Sequence, residues 1–117
     1  MSSIKKLPLS GARRAGPFLF VSGQLALKDG QVVGDGIAAQ TELVIDAIEA
    51  QLASFGLALS DVVKTGVWLT SAEGFPAFNE AYAARFADPY PARSTVISGL
   101  ALPGALVEID AIALCRD

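Results

Sequence analysis

Arg93, in the run Pro91-Ala92-Arg93-Ser94, and Glu108, in Leu106-Val107-Glu108-Ile109, are the side chains of this 117-residue sequence best suited to chemistry. A guanidinium presents a planar fork that grips a carboxylate through two parallel charge-assisted hydrogen bonds, each contributing about 1.5–3 kcal/mol. The plainer reading of Arg93 is a surface arginine paired with Glu108 or Asp110. A carboxylate among Leu106, Val107 and Ile109 must find a partner or shift its pKa upward, and an upward shift suits a group that handles protons. With Asp110 beside it, the same segment also reads as a solvated strand face. The sequence contains no histidine. Serine and cysteine triads that use one, histidine zinc sites and a histidine general base are therefore excluded.

Other motifs carry less. Ser22-Gly23-Gln24 ends an apolar run, where a glycine allows a ligand to approach the backbone, although a plain turn explains it as well. Gly34-Asp35-Gly36-Ile37-Ala38-Ala39 imitates a dinucleotide-binding fingerprint, but the strand before it is poor and the chain is too short for a paired nucleotide fold. Lys64 could form a Schiff base and is more simply a solvated charge. Trp68 and Cys115 read as packing residues, and a lone cysteine can form neither an internal disulfide nor a cysteine-based zinc site.

The elements that must position Arg93 and Glu108 follow from periodicity. Phe18-Leu19-Phe20-Val21-Ser22 predicts a strand buried on both faces and closed by Gly23. Leu25 to Val33 reads as two short extended pieces about a turn at Asp29-Gly30. Ile37, Thr41, Val44, Ile48, Leu52 and Phe55 define one face of a helix, with Gln40, Glu42, Asp46 and Glu49 turned elsewhere, Asp35 as N-cap and Gly56 at its end. Val62 to Thr70 predicts a strand, and Phe75, Phe78, Tyr82 and Phe86 one face of a second helix with Pro76 in its first turn. After Asp88-Pro89-Tyr90-Pro91, the stretch Arg93 to Ser98 is extended, Leu102-Pro103-Gly104 turns, and Ala105 to Leu114 is the clearest strand.

Strand, helix, strand, helix, strand, strand is an α/β order in which the right-handed crossover rule puts both helices on one face of the sheet. On the last strand Val107, Ile109, Ala111 and Ala113 suit packing under helices. Leu106, Glu108, Asp110, Ile112 and Leu114 then form a second face, odd for water and natural for a subunit interface that contains a site. If Val96 points under the helices, Arg93, Thr95 and Ile97 share that second face with Glu108.

A hydrophobic fraction of 52% against 18% charged residues supports a packed core, and residues 1–117 read as a single domain with apolar material to spare for an interface. The net charge of −3 disfavours nucleic acid and anionic membrane surfaces as partners. No apolar run reaches the length of a membrane span, and Met1-Ser2-Ser3-Ile4-Lys5-Lys6 lacks the core of a signal peptide, so a cytoplasmic location is expected.

Taken in order, Pro8-Leu9-Ser10, Phe18-Leu19-Phe20-Val21-Ser22-Gly23-Gln24, Gln40-Thr41, Asp61-Val62-Val63-Lys64, Phe78-Asn79-Glu80-Ala81-Tyr82, Pro91-Ala92-Arg93-Ser94 and Val107-Glu108-Ile109 closely resemble the RidA/YjgF family of reactive intermediate deaminases, also called the endoribonuclease L-PSP family. The resemblance covers almost the whole chain. It implies a chorismate-mutase-like α+β fold with a single mixed sheet and two helices on one face. It also implies a homotrimer whose sheets pack barrel-like at the centre, leaving clefts between subunits. The activity implied is hydrolysis of enamine and imine intermediates, such as 2-aminoacrylate, to the 2-oxo acid and ammonia, with neither metal nor organic cofactor. Arg93 would clamp the substrate carboxylate and Glu108 would orient the attacking water, while Ser22, Gly23 and the backbone of Thr95 line the pocket. Leu9 stands where active deaminases of the family carry a tyrosine, which implies a more apolar wall and either a bulkier imine or weak turnover. The alternative is a non-catalytic module that binds 2-oxo or other carboxylic acids in the same clefts. Ribonuclease activity, ascribed to some relatives, fits poorly with the acidic charge and the missing histidine.

Overall fold

The structure, a computed structural model, describes residues 7–116, so the segment Met1–Lys6 that was read for a signal peptide lies outside the described residues. Alternation along the last strand, β7 (Val107–Leu114), sets the two faces of the sheet: Val107, Ile109, Ala111 and Ala113 are all buried. On either side of β7 run β2 (Phe18–Gln24) and β5 (Val62–Leu69), both antiparallel to it. The hairpin strand β1 (Ala12–Ala15) pairs outside β2, and β6 (Ala92–Ile97) pairs parallel with β5, giving the order β1-β2-β7-β5-β6. A parallel pair needs a crossover, and helix α2 (Phe75–Arg85) supplies it. Strands β3 (Leu27–Lys28) and β4 (Gln31–Val32) form a separate ribbon whose two-residue turn, Asp29-Gly30, has positive φ at both positions.

Helix α1 (Ile37–Ala53) and α2 lie on one face of this mixed sheet, as the crossover rule requires. Val44, Ile45, Ile48 and Leu52 of α1 join Phe78, Tyr82 and Phe86 over the buried side of β7, β2 and β5. Arg85 ties the helices together, reaching Glu42 and Asp46 at 2.8 Å and Glu49 at 3.3 Å.

Several expectations change at the level of single residues. Strand β1 has only Ala12-Arg13-Arg14-Ala15 to announce it, and pairing with β2 rather than any propensity makes it a strand. Phe55 is exposed beyond the end of α1, and Ile45 fills the core in its place. The N-cap is Gly36 at φ 94°, where glycine is favoured, and not Asp35. On β2 only Leu19 and Val21 are buried, whereas Phe18 and Phe20 are 39% and 46% exposed on the face without helices.

Gln40 is the most consequential of these differences, being buried rather than turned to solvent. Its amide donates to Gly34 O at 3.3 Å and to Gly104 O at 3.0 Å, and its carbonyl accepts from Leu106 N–H at 2.8 Å. It thereby fastens the start of α1 to the approach to β7. Replacing Gln40 by leucine strands these backbone groups in the interior and should lower the unfolding free energy by about 2–4 kcal/mol in urea denaturation, whereas a loss below about 0.5 kcal/mol would show the amide to be dispensable.

Candidate active site

Two acids leave β7 on the face without helices, and neighbouring glycines make room for both. Asp110 lies opposite Gly66, whose N–H donates to Asp110 Oδ1 at 2.8 Å; a Cβ at Gly66 would stand 2.5 Å from that oxygen. Glu108 lies opposite Trp68 on one side and against Gly23 on the other. The β2–β7 register shifts between Val21 and Gln24, a bulge that falls on Ser22-Gly23, and a methyl group at Gly23 would overlap Glu108 Oε2. The glycine that the sequence suggested for ligand approach thus admits the chain's own carboxylate. Glu108 accepts no hydrogen bond from the described residues. Burial, and then the charge of Asp110, push its carboxyl above the ordinary glutamate range.

Beside Asp110 the open face forms a trough of about 960 Å³ whose lining includes Leu9, Phe20, Ser22, Lys64, Trp68 and Asp110 but not Glu108. The Ser22 hydroxyl donates to Ser10 O at 2.5 Å and so anchors the segment that carries Leu9, itself 59% exposed. With its proton committed, Ser22 keeps only lone pairs for a ligand.

Arg93 is not on this face. The parallel register aligns Thr65 with Arg93 and Val67 with Thr95, which places Arg93 and Thr95 on the helix side and Val96 on the open side with Glu108. The expected shared face is therefore corrected. Apolarity does not decide orientation here, because β6 is an edge strand on which Val96 and Ile97 are both half exposed, whereas the register is fixed by β5.

The guanidinium carbon of Arg93 lies 5.0 Å from the ring centre of Tyr82, 5.3 Å from Phe78 and 5.8 Å from Phe75. Among the described residues it has no ion pair. Burial pushes the Tyr82 phenol up, against the lowering effects of its hydrogen bond with Thr65 and of the Arg93 charge. Ser98 N–H donates to Leu69 O at 2.9 Å, so the alternation of a parallel strand turns the amides of Arg93, Thr95 and Ile97 to the free edge. The open edge of β6 thus offers an unneutralised guanidinium beside unpaired backbone donors. Sequence reading missed the three rings about Arg93, because aromatic residues at helical spacing look like core packing alone.

The family model for Endoribonuclease L-PSP matches residues 4–115. The chain belongs to this family, the RidA/YjgF family. Among curated relatives in the family, the protein mmf2, mitochondrial, of Schizosaccharomyces pombe is 39% identical over 91% of this chain and 86% of its own. The 3-aminoacrylate deaminase RutC of Acinetobacter baylyi is 38% identical, again over 91% of this chain and 86% of its own. The crystal structure of RidA from an Antarctic Psychrobacter superposes with a TM-score of 0.87 at 34% identity, covering 95% of this chain and 91% of that one. No helix among the described residues is long and apolar enough to cross a membrane.

If Gly23 clears the space that Glu108 occupies, Gly23→Ala should displace that carboxylate and shift its NMR carbon resonance while leaving the fold intact; an unmoved resonance would contradict the packing. The raised pKa fixes a second sign. Because folding favours the protonated Glu108, its stabilising contribution is fully present below the ordinary glutamate range and is lost as pH rises through the raised folded value. Glu108→Gln cannot ionise, so its stability relative to wild type should improve from acid to neutral pH in parallel urea melts.

Proposed function

We propose that the protein hydrolyses 2-imino acids and their enamine tautomers, of which 2-aminoacrylate is the simplest case, to the 2-oxo acid and ammonia. The observation that carries this reading is the pairing of an unneutralised Arg93 at a sheet edge with an unbonded Glu108 of raised pKa on the opposite face. The deaminase named among the relatives supports the reaction class and leaves the substrate open. In the reaction, Arg93 clamps the carboxylate and the amide of Thr95 supports it. Water adds to the imine carbon, giving a proton to the Glu108 carboxylate, which passes it to the nitrogen to complete the carbinolamine. Glu108 then takes the carbinolamine hydroxyl proton and returns it to the nitrogen, which leaves as ammonia while the new C=O forms. Ser22, with only lone pairs to offer, accepts from the imine N–H, and Gly23 keeps Glu108 seated.

Groups on opposite faces of one sheet can flank a single substrate only when they come from different copies. The proposal therefore includes assembly of several copies, taken as the homotrimer that the family resemblance implies, in which the Arg93 edge of one subunit meets the open face of the next, covering Phe18, Phe20 and Ile112. Leu9, in the trough wall, supplies no hydroxyl and favours an imine with a larger apolar side chain than 2-aminoacrylate. The same residue is the observation that favours the second reading, a cleft that binds 2-oxo acids without turnover. A cytoplasmic location is part of the proposal. The mitochondrial designation of the Schizosaccharomyces pombe relative belongs to that protein.

The test is acceleration of 2-oxo acid release from freshly generated imino acids over the spontaneous rate; none across a panel of side chains, with saturable binding of 2-oxobutanoate, would establish the binding module instead. Arg93→Lys should lose at least about 10-fold in kcat/KM, because lysine cannot make the paired contact. Co-refolding equal amounts of inactive Arg93→Ala and Glu108→Ala chains should restore about one quarter of the wild-type activity if each cleft draws on two subunits, and none if it draws on one.

A further inference from the structure

We propose that the aromatic face of α2, locked by Thr65, is a seat that holds Arg93 ready for an incoming carboxylate, with Tyr82 and Phe78 as positioning residues and Phe75 at its rim. The inference rests on the reading of Arg93 as the carboxylate clamp. Phe75, Phe78 and Tyr82 stand at i, i+3 and i+7 on one helix face, and each ring centre lies within 6 Å of the guanidinium carbon, the range in which a cation is drawn to an aromatic face. Tyr82 OH and Thr65 Oγ1 share a buried hydrogen bond of 2.8 Å, and Thr65 is the residue aligned with Arg93 across the β5–β6 pair. The phenol oxygen, the one ring atom that could compete for an arginine N–H, is thereby turned to Thr65.

Arg85, another arginine on this side of the molecule, shows the contrast. Glu42, Asp46 and Glu49 take up its donors, and it serves as a clamp between helices. Arg93 is restrained by π faces, which hold the cation without consuming its N–H groups. A guanidinium fixed in this way loses less freedom when a carboxylate binds. Since the carboxylate is gripped in ground state and transition state alike, loosening the seat should raise KM and leave kcat nearly unchanged.

The experiment combines arginine side-chain NMR with kinetics on the full chain. The Arg93 Nε–H resonance, identified by its disappearance in Arg93→Lys, is expected to be shifted by ring currents in the wild type. It should move toward the position of a free arginine in Phe75→Leu and Phe78→Leu. With 2-aminoacrylate generated in situ, KM should rise about 3-fold in Phe75→Leu and Tyr82→Phe and about 10-fold in Phe78→Leu, with kcat within about 2-fold. The Kd of 2-oxobutanoate should rise in step with KM.

Phe75 is 40% exposed, so its replacement spares the core and keeps the test valid if Phe78→Leu does not fold. An unshifted wild-type resonance, or unchanged KM and Kd in folded Phe75→Leu, overturns the seat. Should Arg93→Lys leave both KM and Kd at wild-type values, the clamp reading fails. The resonance then decides alone: ring-shifted and released by Phe75→Leu supports the seat, and any other behaviour overturns it.

Discussion

A β-sheet is a partition. Side chains leave a strand alternately to its two sides, and no rotamer carries a carboxylate through the backbone layer to the other face. The β5–β6 register sends Arg93 to the helix side, and the β5–β7 register sends Glu108 to the open side. Within one chain these two groups do different work in different surroundings. Arg93 projects beside a free strand edge, and Glu108 sits beside a broad trough that includes Leu9 and Ser22. The half-exposed Phe18, Phe20 and Leu114 on the open face follow from the same partition, since the helices can cover only one side. In the proposed reaction this makes assembly a condition of catalysis, because a lone subunit offers half of each site on either face.

The charged residues near the site occur as contrasting pairs. Asp110 receives the Gly66 N–H, whereas Glu108, the next residue on the same face, receives no donor from the described residues. Arg85 is neutralised by three acids, whereas Arg93 is held by three rings. An ion pair at Arg93 would fix the side chain as firmly, but its partner would have to be displaced before a substrate carboxylate could bind. Likewise, a donor on Glu108 would stabilise the carboxylate and draw its pKa back down. In each pair one member is satisfied and structural, and the other is restrained by shape with its chemistry left open.

How much of this was legible in the sequence depends on what decides each feature. The β7 alternation, both helices and the two-residue turn at Asp29-Gly30 are local patterns, and the structure has them where the sequence places them. The burial of Gln40 is not legible, because a polar residue on a helix says nothing of the carbonyls of Gly34 and Gly104 or the amide of Leu106, which lie outside the helix. The face of Arg93 is hidden from the sequence for a similar reason. Its orientation is set by pairing with Thr65, a contact across the chain, while its own strand offers Val96 and Ile97 at opposite parity and so no preference. Ser22-Gly23-Gln24 reads as space for an approach or as a plain turn, but the group that takes the space beside Gly23, Glu108, comes from a strand 85 positions away in sequence.

The donor inventory of the open face bears on which molecules such a site can tell apart. Ser22 has committed its proton to Ser10 O, Leu9 has none to give, and Glu108 in its charged form only accepts. These three residues therefore offer no donor, those of the trough including Arg13, Lys64 and Trp68, while Arg93 and the outward amides of β6 lie on the other face. An imino acid brought between the two surfaces is polarised to match, since its carboxylate accepts at one end and its N–H donates at the other. A 2-oxo acid matches at the carboxylate alone, because a carbonyl oxygen facing Ser22 meets lone pairs. In the proposed reaction, hydrolysis therefore removes the contact that distinguishes substrate from product, and release of the oxo acid follows from the same hydrogen bond that positions Leu9 over the trough.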